Sequence, residues 1–224
     1  MPCAAGAQTA DALYADRDTL ASARRAADLW AADVTRDTRA FEPAWKLARV
    51  YYWLGSHAPE QERRAFLEKG IETARHAVSL KPDAPEGHFW IAANMGTLAE
   101  SFGLRAGLRY RKPIKDELET VRRLAPAFMQ GSADRALGRW YHRVPGLFGG
   151  SRTRAVEHLR ASLAYNPHST VSLFFLAEVL IDEGKKADAR TMLQQVIDAP
   201  FDPDWAPEDR EYKAKARTRL AALK

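Results

Sequence analysis

The segment from Thr170 to Pro200 reads Thr-Val-Ser-Leu-Phe-Phe-Leu-Ala-Glu-Val-Leu-Ile-Asp-Glu-Gly-Lys-Lys-Ala-Asp-Ala-Arg-Thr-Met-Leu-Gln-Gln-Val-Ile-Asp-Ala-Pro. It holds two helical patterns back to back. Leu173, Leu176, Ala177 and Leu180 recur at helical spacing in the first, and Ala189, Leu193 and Val196 in the second, with Gly184 at the turn. Pro200 closes the unit, because proline cannot continue a helix. A lone helical hairpin of this size cannot bury its apolar face, so the rest of the chain must supply stacked neighbours.

The neighbours are present in stretched form. Leu80-Lys81-Pro82, Leu124-Ala125-Pro126 and Tyr165-Asn166-Pro167 end three earlier segments in the same way, at steps of 44, 41 and 33 residues. The last step is close to the roughly 34-residue period of the tetratricopeptide repeat. Before Pro167, Leu137-Gly138-x-x-Tyr141 reproduces that repeat's Leu-Gly-x-x-Tyr core, followed by Ala155, Leu159 and Ser162. Before Pro82, Ala44, Leu47, Ala48 and Tyr51 mark a first helix, and Ala74 and Ala77 a second. Before Pro126, the marks are Ile91, Ala92 and Met95, then Ile114, Leu118 and Val121. The excess length falls between the two helices of each unit, where insertions become loops or helix extensions.

Flanking helices complete the expectation. Leu20, Ala23, Ala26, Ala27, Trp30 and Val34 predict one unpaired helix over residues 11–35, a half-repeat. Asp204-Trp205-Ala206-Pro207-Glu208-Asp209 carries helix-start signals and predicts a polar capping helix at the other end. No stretch alternates with period two. The expected fold is all-α: an α-solenoid of about four degenerate tetratricopeptide repeats between a half-repeat and a cap, forming a single domain over residues 11–224.

The charge is modest, with 34 basic against 29 acidic residues and no run of one sign, so solvated helix faces account for it and nucleic-acid binding is not required. No apolar run approaches the roughly 18–20 residues of a membrane span. Residues 1–10 read as a leader. Ala5-Gly6-Ala7 resembles a signal-peptide cleavage site before Gln8, although the charged and apolar regions of a signal are missing. A true signal implies the periplasm; a mere leader implies the cytoplasm. Cys3 is the only cysteine, which excludes an internal disulfide.

The run Arg135-Ala-Leu-Gly-Arg-Trp-Tyr-His-Arg-Val-Pro-Gly-Leu-Phe-Gly-Gly-Ser151, together with Trp45–Gly55 and Phe89–Asn94, resembles the T-component family of TRAP transporters. That resemblance implies a periplasmic repeat protein that partners the transporter's solute-binding subunit, and it allows a hydrophobic or carboxylate ligand in an internal channel. The same segments also resemble the repeat domain of the regulator of microtubule dynamics proteins. The alternative to the transporter role is a generic scaffold that binds proteins and holds no small molecule.

Counting from the repeat register, the first-helix positions that would face a groove are Trp45, Arg49 and Tyr52, then Phe89, then Arg135, Arg139 and His142, then Phe174 and Glu178. Aromatic walls with a few charges suit an amphipathic ligand or an apolar helix of a partner. The bland alternative is that Trp45, Phe89 and Phe174 pack between helices. Arg135, Arg139 and Arg143 share a helix face and need an anion opposite them, either from a partner or from Asp134, Glu157 or Glu178 within the chain. Gly149-Gly150-Ser151 reads as a turn and an N-cap serine, or as an anion cradle beside Arg152 and Arg154. The 96–113 insert reads as a flap or a contact between copies of the chain, or else as two long helices kinked at Gly103 and Gly107. The six histidines lack metal-ligand spacing and no Gly-x-Ser-x-Gly elbow occurs, so neither an enzyme nor a metal or other cofactor is expected.

Overall fold

The structure, a computed structural model, describes residues 8–223. The suspected cleavage site at Ala5-Gly6-Ala7 lies outside the described residues. Eleven α-helices run through the described residues: α1 (Ala10–Ala15), α2 (Leu20–Arg36), α3 (Phe41–His57), α4 (Glu60–Leu80), α5 (Pro85–Ser101), α6 (Gly103–Leu124), α7 (Ser132–Arg143), α8 (Arg152–Tyr165), α9 (Thr170–Asp182), α10 (Lys186–Asp198) and α11 (Ala206–Ala222). Two 3-10 turns, Gly146–Phe148 and Pro203–Trp205, precede α8 and α11. No strand occurs among the described residues. α4, α6, α8 and α10 end at the four prolines read from the sequence, and α3/α4, α7/α8 and α9/α10 pack as hairpins. The chain forms two compact units, Met1–Tyr110 and Arg111–Lys224, divided within α6.

In unit one α1 packs on α2, α2 on α3, α3 on α4, and α5 on both α3 and α4. Trp30, Val50, Trp53, Leu54, Leu67 and Ala74 are buried in it. Gly55 permits the first hairpin to close, since a Cβ there would lie 2.4 Å from Leu67 Cγ. Gly70 makes room for the buried amide of Asn94, whose Nδ2 donates to the carbonyls of Trp90 (2.8 Å) and Ala48 (3.2 Å).

The predicted half-repeat over residues 11–35 is broken at 16–19 into α1 and α2. Asp16 and Thr19 are residues whose side chains compete with helical hydrogen bonds, and Asp16 Oδ2 accepts from Ser22 Oγ at 2.7 Å. The break is held from outside. Arg17 is buried with its guanidinium over the rings of Tyr14 and Trp53, and Trp53 Nε1 donates to the Arg17 carbonyl at 2.7 Å. That tertiary contact is invisible to local periodicity.

In unit two α7 packs on α8, α8 on α9, α9 on α10, and α11 on α9 and α10. Ile114, Leu118 and Val121 of α6, with Leu137, Leu159, Leu173, Leu193 and Ala216, are buried there. Gly138 serves the Leu-Gly-x-x-Tyr core as Gly55 serves unit one: a Cβ there would lie 2.6 Å from Leu159 Cγ. The hydroxyls of Ser162 and Ser172 meet at 2.7 Å and join α8 to α9, so two buried polar side chains face each other and not apolar surroundings.

The long repeat periods have two structural origins. α4 and α6 run to 21 and 22 residues against 14 and 13 for α8 and α10, so the early excess is helix. The 96–113 insert is therefore two helices meeting at Phe102-Gly103, where Gly103 takes φ +84°; the second expected kink, Gly107, sits inside α6. The α7/α8 hairpin instead keeps short helices and spends residues on the loop between Arg143 and Arg152.

Candidate interaction surfaces

The first-helix face of unit one is lined as the register requires, but it is not open. Trp45 and Arg49 of α3 lie side by side, with the guanidinium 5.1 Å from the Trp45 ring. Tyr14 of α1 closes over Arg49 at 3.9 Å, Trp30 stands 5.5 Å away, and Asp11 Oδ1 is 3.7 Å from Nη2. Aromatic faces attract a cation through their quadrupole, most strongly when water is excluded. Lys46, beside Arg49, bridges Asp11 (2.9 Å) and Glu42 (2.6 Å). Burial lowers the proton affinity of its ammonium, but the two hydrogen bonds and charges outweigh that, and its pKa lies above the ordinary value.

Tyr52 turns to Trp90, ring centres 5.5 Å apart, and buried Phe89 meets Trp90 edge-on at 5.0 Å. Tyr52 and Trp90 thus meet between α3 and α5, with Phe89 buried beside them. Trp45 also walls a cavity of about 540 Å³ with Phe41, Glu42, Lys81 and Glu86.

Unit two holds the remaining residues, Arg135, Arg139, His142, Phe174 and Glu178. Arg139 pairs with Glu178 and lies 4.6 Å from the Phe175 ring. His142 Nε2 donates to Asp182 Oδ2 at 2.8 Å. The anion demanded by the arginine face is thus supplied for Arg139 by α9. Phe174 is buried edge-on against Tyr212 of α11, ring centres 5.4 Å apart, so the cap covers that part of the face. Arg135, one turn earlier on α7, is 7% exposed, with its guanidinium 5.3 Å from the Trp205 ring. The Gly149-Gly150-Ser151 segment is a turn and an N-cap: Gly149 has φ +101°, and Ser151 Oγ accepts from the Arg154 amide. Among the described residues no group of His, Cys, Asp and Glu could hold a metal ion, and no helix is long and apolar enough to cross a membrane.

One site escaped the repeat register. Arg135, Gln130, Asn166, His168, Phe201 and Trp205 surround a cavity of about 320 Å³ whose floor is built by Asp209. Asp209 is buried and accepts from Thr170 Oγ1 (2.8 Å) and from the Asp202 amide (3.0 Å). Asn166 Nδ2 donates to Gln130 Oε1 at 2.6 Å, and Phe201 at the rim is 58% exposed. The mixture of a protruding ring, a guanidinium and side-chain amides suits an extended peptide, whose backbone needs both donors and acceptors. The only sequence signal was the Asp-Trp-Ala-Pro helix start, read as a cap and not as a wall. His142 with Asp182 was more accessible: Arg139 and His142 are three apart, Glu178 and Asp182 four apart, so two bases on one helix face two acids on the next.

The profile of the family described as "Regulator of microtubule dynamics protein 1-3" matches residues 7–224. The chain belongs to this family. Regulator of microtubule dynamics protein 3 of Xenopus laevis is 29% identical over 201 residues, covering 80% of this chain and 41% of that protein. The Rattus norvegicus protein of the same name is 26% identical over 137 residues, 61% of this chain and 29% of its own length. The chain thus matches less than half the length of these curated relatives. Among solved structures, a thermophilic TPR protein of Thermus thermophilus superposes with a TM-score of 0.70 at 18% identity, covering 95% of each chain. YrrB, described as a TPR protein with an unusual peptide-binding site, gives 0.50 at 17% identity, covering 88% of this chain and 93% of its own. At such identities the likeness concerns the fold, which is that of tetratricopeptide-repeat proteins. The family is the second of the two resemblances read from the sequence; the transporter resemblance gains no support from these matches.

Proposed function

We propose that this family member is a non-catalytic protein-interaction module that holds an extended peptide segment of its partner in the cavity rimmed by Phe201 and Trp205. The observation that carries the reading is the composition of that cavity. An exposed phenyl ring stands at the rim of one concavity that the side chains of Trp205, Arg135, Gln130 and Asn166 line. The peptide-binding site named for YrrB, on the same fold, is consistent with this use. The narrower reading, a periplasmic partner of a TRAP-type solute-binding subunit that also holds a hydrophobic or carboxylate ligand, rests on the sequence motifs alone.

The test is selection of binders from a displayed peptide library, followed by fluorescence anisotropy titration of the selected peptides. Phe201→Ala and Trp205→Ala should each weaken binding about tenfold, the effect of one anchoring aromatic side chain. Peptides that bind wild type and both variants alike would remove this cavity from the function.

A further inference from the structure

The loop between α7 and α8 is the least explained part of the molecule. Leu147 is 90% exposed at its tip and Phe148 beside it is 36% exposed, on a 3-10 turn that projects between two helix ends. The projection is built in. The Ser151 amide donates to the Tyr141 carbonyl (2.9 Å) and the Gly150 amide to the Pro145 carbonyl (3.2 Å), which pinch the base of the loop. Gly150 cannot be replaced, because a Cβ there would lie 1.6 Å from the Val144 carbonyl oxygen. The pinched loop leaves Leu147 almost wholly in water with Phe148 partly exposed beside it, and hydrophobic burial within unit two does not account for Leu147.

Basic residues dominate around the tip, although Lys112 there pairs with Asp116. Between Arg143 and Val156 the sequence has three arginines and no acid, and between Arg111 and Lys115 three basic residues and no acid. Unit two brings the two stretches together: Trp140 Nε1 donates to the Arg111 carbonyl (2.9 Å), the Arg111 guanidinium lies 5.3 Å from the Phe148 ring, and Lys115 lies 5.5 Å from the Trp140 ring. Arg143, Arg152 and Arg154 are exposed at the two helix ends that flank the loop. Asp182 is engaged by His142.

We infer that the Val144–Ser151 loop is a membrane-docking tip, with Leu147 and Phe148 entering the interfacial region of a bilayer while the surrounding arginines meet anionic headgroups. The shape favours lipid over protein. A convex apolar tip needs a surface that yields around it, and a bilayer provides one that is also uniformly anionic. Anionic lipid attracts basic residues near its surface, each strengthening binding by about fivefold. This inference is independent of the peptide cavity, which lies elsewhere in unit two, and either can fail alone.

The test uses the full chain and vesicles of phosphatidylcholine, with or without about one-third phosphatidylserine, enough to set up a negative surface potential. Wild type should sediment with the anionic vesicles and not with the neutral ones, and added salt should release it. The double variant Leu147→Ser with Phe148→Ser should lower partitioning by about 10- to 100-fold, because most of the inserted apolar area is removed. Circular dichroism of the variant should match wild type, since neither side chain is in the core. A second readout does not depend on that variant folding. Leu147→Cys in a Cys3→Ser background, labelled with an environment-sensitive dye, should shift to the blue on anionic vesicles. No binding to anionic vesicles, unchanged partitioning of the double variant, or a dye that stays in water would each overturn the inference. Absence of vesicle binding alongside binding to an acidic peptide would assign the tip to a protein partner instead.

Discussion

The two units carry triplets of the same spacing around a central arginine and satisfy that arginine differently. Trp45, Arg49 and Tyr52 on α3 have the spacing of Arg135, Arg139 and His142 on α7, with arginine in the middle of each. In unit one the central guanidinium is enclosed by Tyr14, Trp30 and Trp45. In unit two it pairs with Glu178, and its neighbour His142 with Asp182. An aromatic enclosure holds a cation without demanding a second buried charge. An ion pair makes each partner depend on the other, because a half-buried carboxylate left alone keeps its desolvation cost. The same face can thus be robust in one unit and brittle in the other.

The largest expected effect breaks unit two outright. Leu176→Asp places a charge without a partner in the core of α9, and a loss of about 4 kcal/mol or more is expected. Hydrogen exchange should then show protection lost throughout α7–α11; loss confined to α9 would show that the hairpins of this unit do not support one another.

Next come the two close-contact glycines, which sit at matching places in the two units. Gly55→Val and Gly138→Val each push a side chain into the leucine opposite, and each should cost about 1–3 kcal/mol in urea unfolding. Comparable losses would confirm that both units close their hairpins alike, and a tolerated valine at either site would separate them.

The central arginines should differ. Arg139→Ala should cost about 1–2 kcal/mol, between the exposed and buried limits for an ion pair, and most of that should return in the Arg139→Ala, Glu178→Gln double variant. Arg49→Ala should cost about 1 kcal/mol, with no comparable rescue by Asp11→Asn. Equal rescue in both units would erase the contrast between them.

The smallest effect is alkaline and belongs to unit one. Burial, and then the charge of Asp28, raise the Tyr51 phenol above its ordinary 10.0, so the unfolded chain ionises first and stability falls as pH rises past that value. The raised Lys46 ammonium contributes stability that is complete below 10.5 and is lost as pH passes its higher folded value. Both act in one direction. Tyr51→Phe with Lys46→Met should therefore show a flatter decline than wild type when urea midpoints at about pH 9 and pH 11 are compared.

The helices and the four proline-ended segments were legible because their apolar positions recur at helical spacing, and so was the capping helix at Pro207. The candidate face was legible only as positions. Trp45 and Arg49 do meet, and Glu178 does answer Arg139, yet Phe89 and Phe174 are packing residues and Arg135 belongs to a different cavity. What was missed lies across long sequence distances: Tyr14 over Arg49, Tyr212 against Phe174, Trp205 beside Arg135.

The sequence by itself determined the helical period, the breaks between helices and the repeat to which they belong, since those follow from local backbone preference and from which residues must leave water. Tertiary structure alone decided which helix faces remain exposed. α1 and α11 fold back with Tyr14 and Tyr212 because an aromatic ring gains more against a guanidinium or another ring than in water. The same closing of faces leaves Phe201 at the rim of one cavity and Leu147 at the end of one pinched loop, where nothing in their own unit covers them.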